Sequence, residues 1–304
     1  MNRYKRKKNY LLLRYILLIV ILFCIYYVDK YEVSNENNYK EKQIEVTTDN
    51  KLRVYFIDVG QADSILLTIN NHNMLIDSGN YNDRFKLTKY FKNLNINKFD
   101  YVIGTHAHED HIGSMSYIIR NFDIDHYIMP ATKTDYNSYT YTIKALNKKN
   151  MRVEEPKIDS SINIDEVSCK IIYYDNNDEK DYINNNSIIM KCTFFNNSYL
   201  FTGDTTNDIE NKILDKDLKS DVLKVAHHGS KYSSSEAFLE KVNPKYAVIS
   251  CEKDNDYKYP HKTTLNKLYK NNIKVFRTDI DGTIISTSDG NNISFETIKT
   301  NTNG

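Results

Sequence analysis

The segment Thr105-His106-Ala107-His108-Glu109-Asp110-His111 packs metal-binding side chains into a few positions. Only 8 of the 304 residues are His, yet three of them lie within residues 106–111. On composition alone such a pattern arises in roughly one chain in two thousand, so chemistry explains it better than chance. On an extended backbone, side chains two residues apart point the same way. His106 and His108 can therefore hold one cation, and the turn that follows brings Asp110 and His111 toward a second. Imidazole with carboxylate suits Zn²⁺, and also Mn²⁺ or Fe²⁺.

The flanking sequence predicts an α/β domain. Leu52–Val59 alternates and reads as a strand. Ser64–Ile69 and Met74–Asp77 read as two more, joined by Asn70-Asn71-His72-Asn73 as a hairpin turn. A helix is expected over Arg84–Leu94, with Phe85, Leu87, Tyr90, Phe91 and Leu94 on one stripe. Tyr101–Thr105 is a short buried strand feeding the His segment, followed by a helix through Tyr117 and Ile118. The second half echoes the first. Ser187–Phe195, Asn196-Asn197-Ser198 and Tyr199–Asp204 repeat the order of strand, turn and strand ending in Asp. Asp221-Val222-Leu223-Lys224-Val225-Ala226-His227 then echoes Asp100-Tyr101-Val102-Ile103-Gly104-Thr105-His106, and both copies continue into Gly-Ser, at Gly113-Ser114 and Gly229-Ser230. The echo predicts two related halves whose strand ends face a shared edge, where ligands gather in such sheets. Tyr246–Ser250 and Ile273–Thr278 read as strands and Thr264–Lys270 as a helix. Ile284–Thr287 and Ile293–Thr297 flank a turn at Asp289-Gly290. Two further groups stand at strand ends. Thr202-Gly203-Asp204 offers a carboxylate, and Val225-Ala226-His227-His228-Gly229 offers two imidazoles.

HAHEDH followed by TGD and HHGS resembles the metallo-β-lactamase superfamily. Asp58-Val59-Gly60-Gln61-Ala62-Asp63-Ser64, Leu75-Ile76-Asp77-Ser78-Gly79 and Leu223–Ser230 resemble the branch found as the C-terminal domain of the competence protein ComEC. The pneumococcal teichoic-acid phosphorylcholine esterase is similar in the same places. The resemblance covers about residues 51–300 and implies an αββα sandwich with two divalent metal ions, Zn²⁺ or Mn²⁺. It places metal on His106, His108, Asp110, His111, Asp204 (the bridging carboxylate) and His228. It leaves His227 facing the substrate or buttressing the site, and makes Asp77 a support for the His loop. Asp63 either braces the site or caps a turn. His261, after Pro260, matches a His that donates a proton or holds a phosphate oxygen; an exposed loop His is the other reading. The sequence departs from the common pattern twice. Where many members carry a further His ahead of the bridging aspartate, this sequence reads Asn184-Asn185-Asn186-Ser187, as in the two named relatives. Ala62 replaces the usual glycine.

Composition bounds the rest. Lys plus Arg is 41 and Asp plus Glu is 40, a formal net charge of +1. Residues 1–28 hold Arg3, Lys5, Arg6, Lys7, Lys8 and Arg14 without an acid, leaving 35 basic and 40 acidic residues, or −5, for the remainder. A broad nucleic-acid footprint is thereby disfavoured. A mean hydropathy of −0.61 excludes a multi-span membrane protein. The apolar run Leu11–Val28 behind the basic cluster reads as a single signal-anchor span, so residues 1–28 anchor, residues 29–50 form a polar tether, and residues 51–304 form the hydrolase domain. A cell-membrane protein with its catalytic domain outside is expected. The odd set of Cys169, Cys192 and Cys251 argues against a complete disulfide set, and Cys169 and Cys192 read as core residues. His72 and His126 read as surface or structural. Sequence position marks none of the 25 Tyr as a base-stacking residue.

The expected function is a dinuclear metallohydrolase whose cations activate water, with Asp110, His227 and His261 as its catalytic side chains. Its substrate would be a phosphodiester: DNA in the manner of the ComEC-like branch, or a wall polymer in the manner of the esterase. A β-lactam ranks third. A metal-poor binding or scaffold protein is the alternative of another class.

Overall fold

The strand β2 (Ile65–Ile69) is apolar at four of five positions and buried at all of them, as a strand covered on both faces must be. It lies in the computed structural model, which describes residue 23 and residues 49–132, 134–175 and 183–299. By its contacts the chain divides into Met1–Glu45 and Val46–Gly304. Among the described residues no helix is long and apolar enough to cross a membrane. The expected span Leu11–Val28 lies outside them, apart from Phe23.

β1 (Leu52–Phe56), β2, β3 (His72–Ile76), β4 (Lys98–Ile103) and β5 (Asp123–Ile128) join β13 (Thr283–Ser288) and β14 (Ile293–Ile298) in one sheet, ordered β14-β13-β1-β2-β3-β4-β5. The second sheet takes β6 (Ser161–Ile164), β7 (Val167–Tyr173), β8 (Ile189–Phe194), β9 (Asn197–Phe201), β10 (Val222–Lys224), β11 (Tyr246–Ile249) and β12 (Lys274–Arg277), ordered β12-β11-β10-β9-β8-β7-β6. Between the sheets, Val54, Phe56, Leu67 and Ile76 of the first meet Ile171, Met190, Phe194 and Phe201 of the second. Helices cover both outer faces. On the first, Phe91 of α1 (Arg84–Asn93) packs edge-on to Phe99 and Phe122, with centroids 5.3 and 5.9 Å away. On the second, Leu200, Leu223 and Ala247 cluster with Ile209, Phe238 and Leu268, carried by helices Asn207–Lys212, Glu236–Val242 and Lys262–Lys270. The result is the expected αββα sandwich.

The two halves repeat one another in detail. Each opens with an antiparallel hairpin closed by two residues, Asn70-Asn71 and Phe195-Asn196, so both turns are tighter than the sequence reading places them. The first turn residue is left-handed in each, with φ 49° at Asn70 and at Phe195. A parallel strand follows, β4 beside β3 and β10 beside β9. At its start an aspartate accepts a backbone N–H from the hairpin: Asp100 from Asn73 at 2.7 Å, and Asp221 from Ser198 at 3.0 Å. The carboxyl ends of these four strands carry Asp77, the His segment, Asp204 and the His doublet.

Two expectations need correcting. Phe85 is exposed; the buried stripe of α1 is Leu87, Thr88 and Phe91. Cys169 and Cys192 are core residues, yet they also form a disulfide. They are direct partners across β7 and β8, so strand register sets the sulfurs opposite one another. Cys251 is free and buried, and its thiol donates to Asp279.

One ion pair ties the sheets at the site edge. Lys224, the last residue of β10, donates from Nζ to Asp63 Oδ2 at 2.7 Å, and the two side chains are 0% and 1% exposed. Removing one partner of such a pair strands the other charge in the interior. We expect Lys224→Met to cost about 3–5 kcal/mol in a denaturant melt, much of it recovered in Lys224→Met/Asp63→Leu. A loss below about 1 kcal/mol in the single variant would refute the pair's structural role.

Candidate metal centre

Each ligand-type side chain reaches the shared edge by a local device. Asp77 follows β3 with φ 60°. Its buried carboxylate accepts the Thr105 N–H at 2.8 Å, the Thr105 hydroxyl at 2.7 Å and Nδ1–H of His111 at 2.7 Å. His111 lies on the short helix α2 (Glu109–Ile112), which also carries Asp110. Because a carboxylate claims Nδ1–H, the lone pair of His111 is on Nε2, facing the edge. His228 is oriented in the same way. Its Nδ1–H donates to the Ser250 carbonyl at 2.9 Å, which again leaves Nε2 to face inward.

Asp204 stands between these imidazoles. Its Oδ1 is 3.3 Å from His111 Nε2, and its Oδ2 is 3.6 Å from His228 Nε2 and 3.8 Å from His227 Nε2. Asp110 Oδ2 lies 3.3 Å from His228 Nε2 and 3.9 Å from His111 Nε2. One ligand atom from each of Asp110, His111, Asp204 and His228 falls within 4.8 Å of all the others. His106 and His108 adjoin this set. His106 Nε2 is 3.0 Å from His108 Nδ1, and the His106 ring is 4.1 Å from that of His111. His227 Nε2 also meets the Tyr259 hydroxyl at 3.3 Å and Asn184 Nδ2 at 3.5 Å. His261 is not gathered into the cluster. It lies on the far side of Tyr259, 5.1 Å between rings, and its Nδ1 accepts the Lys231 N–H. His72 and His126 pair with Asp100 and Glu154 at the surface.

The backbone is strained where it delivers the doublet. His227 and His228 both hold left-handed angles, φ 52° and 51°, a state that costs side-chain-bearing residues about 1–3 kcal/mol each and concentrates at functional sites. Gly203 is left-handed too, and a Cβ there would meet Ser187 at 2.9 Å. Glycine is thus required for Asp204 to reach the cluster.

The cluster fits a cation. Among the described residues, His111 Nε2, His228 Nε2 and Asp204 Oδ1 are buried without a hydrogen-bond partner. Their nearest polar neighbours are one another and Asp110, at 3.3 to 3.6 Å, an arrangement of buried polar atoms that is costly unless a cation meets it. The electrostatics agree. Burial alone would strip the proton from His111, but Asp204, Asp77 and Asp110 outweigh it and raise its pKa well above the ordinary range. Burial alone would also raise Asp204 and Asp110; the His111 and His228 imidazoles hold both below the usual carboxylate range. Burial, with His111 adding to it, holds His106 far below its usual value. These carboxylates demand positive charge at this point, and a divalent ion would supply it.

Sequence reasoning misses several supporting residues. The Asn184–Ser187 run stands out in the sequence only for lacking a His. Ser187 Oγ accepts the Asp204 N–H at 3.0 Å and lies 3.3 Å from His106 Nδ1, while Asn185 Oδ1 accepts from Thr206 at 2.6 Å. Tyr259 carries no sequence signal, and Lys224, though inside the Leu223–Ser230 stretch, is given no role there; only tertiary structure sets them at the site.

The fold and this edge define a known class. The family model of the metallo-β-lactamase superfamily matches residues 57–170 and 184–252, and the chain belongs to that superfamily. Among curated relatives it is similar to ComE operon protein 3 of Bacillus subtilis (strain 168), 29% identical over 251 residues, or 76% of this chain and 32% of the relative. Recombination protein 2 of Haemophilus influenzae is 28% identical over 234 residues, 75% of this chain and 28% of that one. The chain thus spans about a third of the length of these relatives. Among solved structures, the metallo-β-lactamase fold protein YhfI of Bacillus subtilis superposes with a TM-score of 0.53 at 12% identity, covering 81% of this chain and all of that one. The diiron β-hydroxylase CmlA of Streptomyces venezuelae gives the same TM-score at 13% identity, over 80% and 54%. These structures share the fold, which does not by itself fix the chemistry.

Binding that favours the folded state stabilises it by about 2.7 kcal/mol at a hundredfold excess over Kd. Added Zn²⁺ or Mn²⁺ should therefore raise the melting temperature of the wild-type domain and leave Asp204→Ala nearly unmoved. Equal stabilisation of both proteins would exclude this cluster as the metal site.

Proposed function

We propose that the chain is a metal-dependent phosphodiesterase that cleaves nucleic-acid strands outside the cell. The observation that carries this reading is the convergence of His111 Nε2, His228 Nε2 and the Asp110 and Asp204 carboxylates on one point, with both of those imidazole nitrogens and Asp204 Oδ1 buried and otherwise unpaired. Asp110, His111, Asp204 and His228 would hold one divalent ion. His106 and His108, with Asp204, would hold a second. Such a pair, bound, acidifies water and neutralises charge on a phosphoryl group.

The protein's own groups do the positioning. Asp77 and the Ser250 carbonyl fix the two imidazoles so that Nε2 faces the cluster. His227, beside Asp204, and the Tyr259 hydroxyl, beside His227, would donate to a phosphate oxygen, and burial keeps His227 below its usual pKa. His261, across Tyr259, would meet the substrate at the rim. The name of one relative, a recombination protein, supports a nucleic-acid substrate. The Cys169–Cys192 disulfide supports an oxidising compartment. With the basic, apolar start of the sequence, that favours a membrane-anchored domain facing outward.

The decisive assay is cleavage of labelled single-stranded DNA by residues 45–304 with Mn²⁺ or Zn²⁺, beside His108→Ala. Metal-dependent cleavage that falls at least about a hundredfold in His108→Ala is expected. Absence of cleavage with metal bound would redirect the reading to wall-polymer phosphodiesters. Absence of both cleavage and metal would favour a scaffold. Protease added to intact cells should digest the domain; full protection would overturn the outward orientation.

A further inference from the structure

Aromatic rings lead from the cluster to the surface. Tyr259 stacks against His228, with centroids 6.3 Å apart and planes at 26°. Tyr257 stacks in turn on Tyr259 at 5.4 Å and 14°, and is 64% exposed. Beside them a cavity of about 790 Å³ is lined by Lys253, Lys258, Arg277 and Tyr259. Arg277 is committed to Asp279 at 2.9 Å, so the two lysines are the cations that face a ligand. Asp254 shares the lining, which makes this a local contact rather than a broad cationic face.

An exposed tyrosine backed by a parallel ring offers a flat π face of fixed orientation, already ordered before anything binds. The partner that fits is a nucleobase, because stacking on aromatic side chains holds single strands without regard to sequence. A polyol-phosphate polymer has no such face to offer. We propose that Tyr257, backed by Tyr259, is a base-stacking platform that positions a single strand so that a neighbouring phosphodiester reaches the cluster. Lys253 and Lys258 would follow the backbone beside it. The proposal deepens the phosphodiesterase reading and rests on it for the meaning of the neighbouring centre, but stacking can be measured without turnover.

The chain has no tryptophan, so Tyr257→Trp installs a single fluorophore at the platform while keeping an aromatic face. This metal-loaded variant is titrated with a short phosphorothioate oligothymidylate and with its abasic tetrahydrofuran counterpart. Quenching of the indole fluorescence by the base-bearing strand alone is expected. Tyr257→Ala should weaken binding of that strand about five- to a hundredfold, the range one stacked base supplies, with little effect on the abasic strand. No quenching, or an equal loss on both strands, overturns the platform. Base-dependent quenching in a protein that cleaves no phosphodiester would keep the platform and sink the nuclease reading; cleavage without quenching would do the reverse.

Discussion

The buried carboxylate of Asp77 sets the geometry on which the site depends. Three donors, the Thr105 N–H, the Thr105 hydroxyl and His111 Nδ1–H, converge on it from one segment. Burial pushes its pKa up, and His111 acts against that. Fixing one nitrogen of His111 decides which nitrogen faces the cluster. Backbone bonds then join three loops into one unit: Asp63 N–H to the Asp110 carbonyl at 3.0 Å, Ser78 N–H to the His111 carbonyl at 2.6 Å, and Gly79 N–H to the Asp63 carbonyl at 2.8 Å. Loss of the Asp77 carboxylate would leave these donors without their acceptor and loosen the whole His segment.

The repeat of hairpin and parallel strand divides the labour. The first half supplies the densest run of nitrogen donors, and the second supplies Asp204 and the doublet. Neither half has a complete set alone. The Lys224–Asp63 pair spans the two where an isolated charge would be least tolerable. Its worth is therefore one of registration: it fixes the loop before β2 against the end of β10, and with it the distance between the halves.

Much of this is legible in the sequence, for physical reasons. Period-two alternation marks β1, the echo of the first half marks β8 and β9, and the apolar stripe marks α1. The His segment stands out because its residue types are rare. Other features carry no local signal. Cys169 and Cys192 lie 23 residues apart, and their pairing depends on strand register, which composition does not encode. The edge strands β5 and β6 and the helix Asn137–Lys148 have polar faces that blur their periodicity. Phe85 fits a helical stripe by spacing, yet the helix turns that position to solvent. Tyr259 and Ser187 matter through what they touch across the fold, so a linear reading gives them no weight.

The C-terminal hairpin has a kinetic consequence. β1 pairs on one side with β2, only a few residues away, and on the other with β13, where Leu52 meets Ser288 near the end of the domain. Asp58 N–H likewise donates to Thr283 Oγ1 at 3.0 Å. The first sheet cannot close until synthesis has passed residue 288. Until then β1 is an open edge, able to pair with another nascent chain. Contacts so distant in sequence place the domain among slow folders. A ribosome that stalls before residue 283 would release a chain with its metal-binding side chains all present and one flank of its first sheet unsealed.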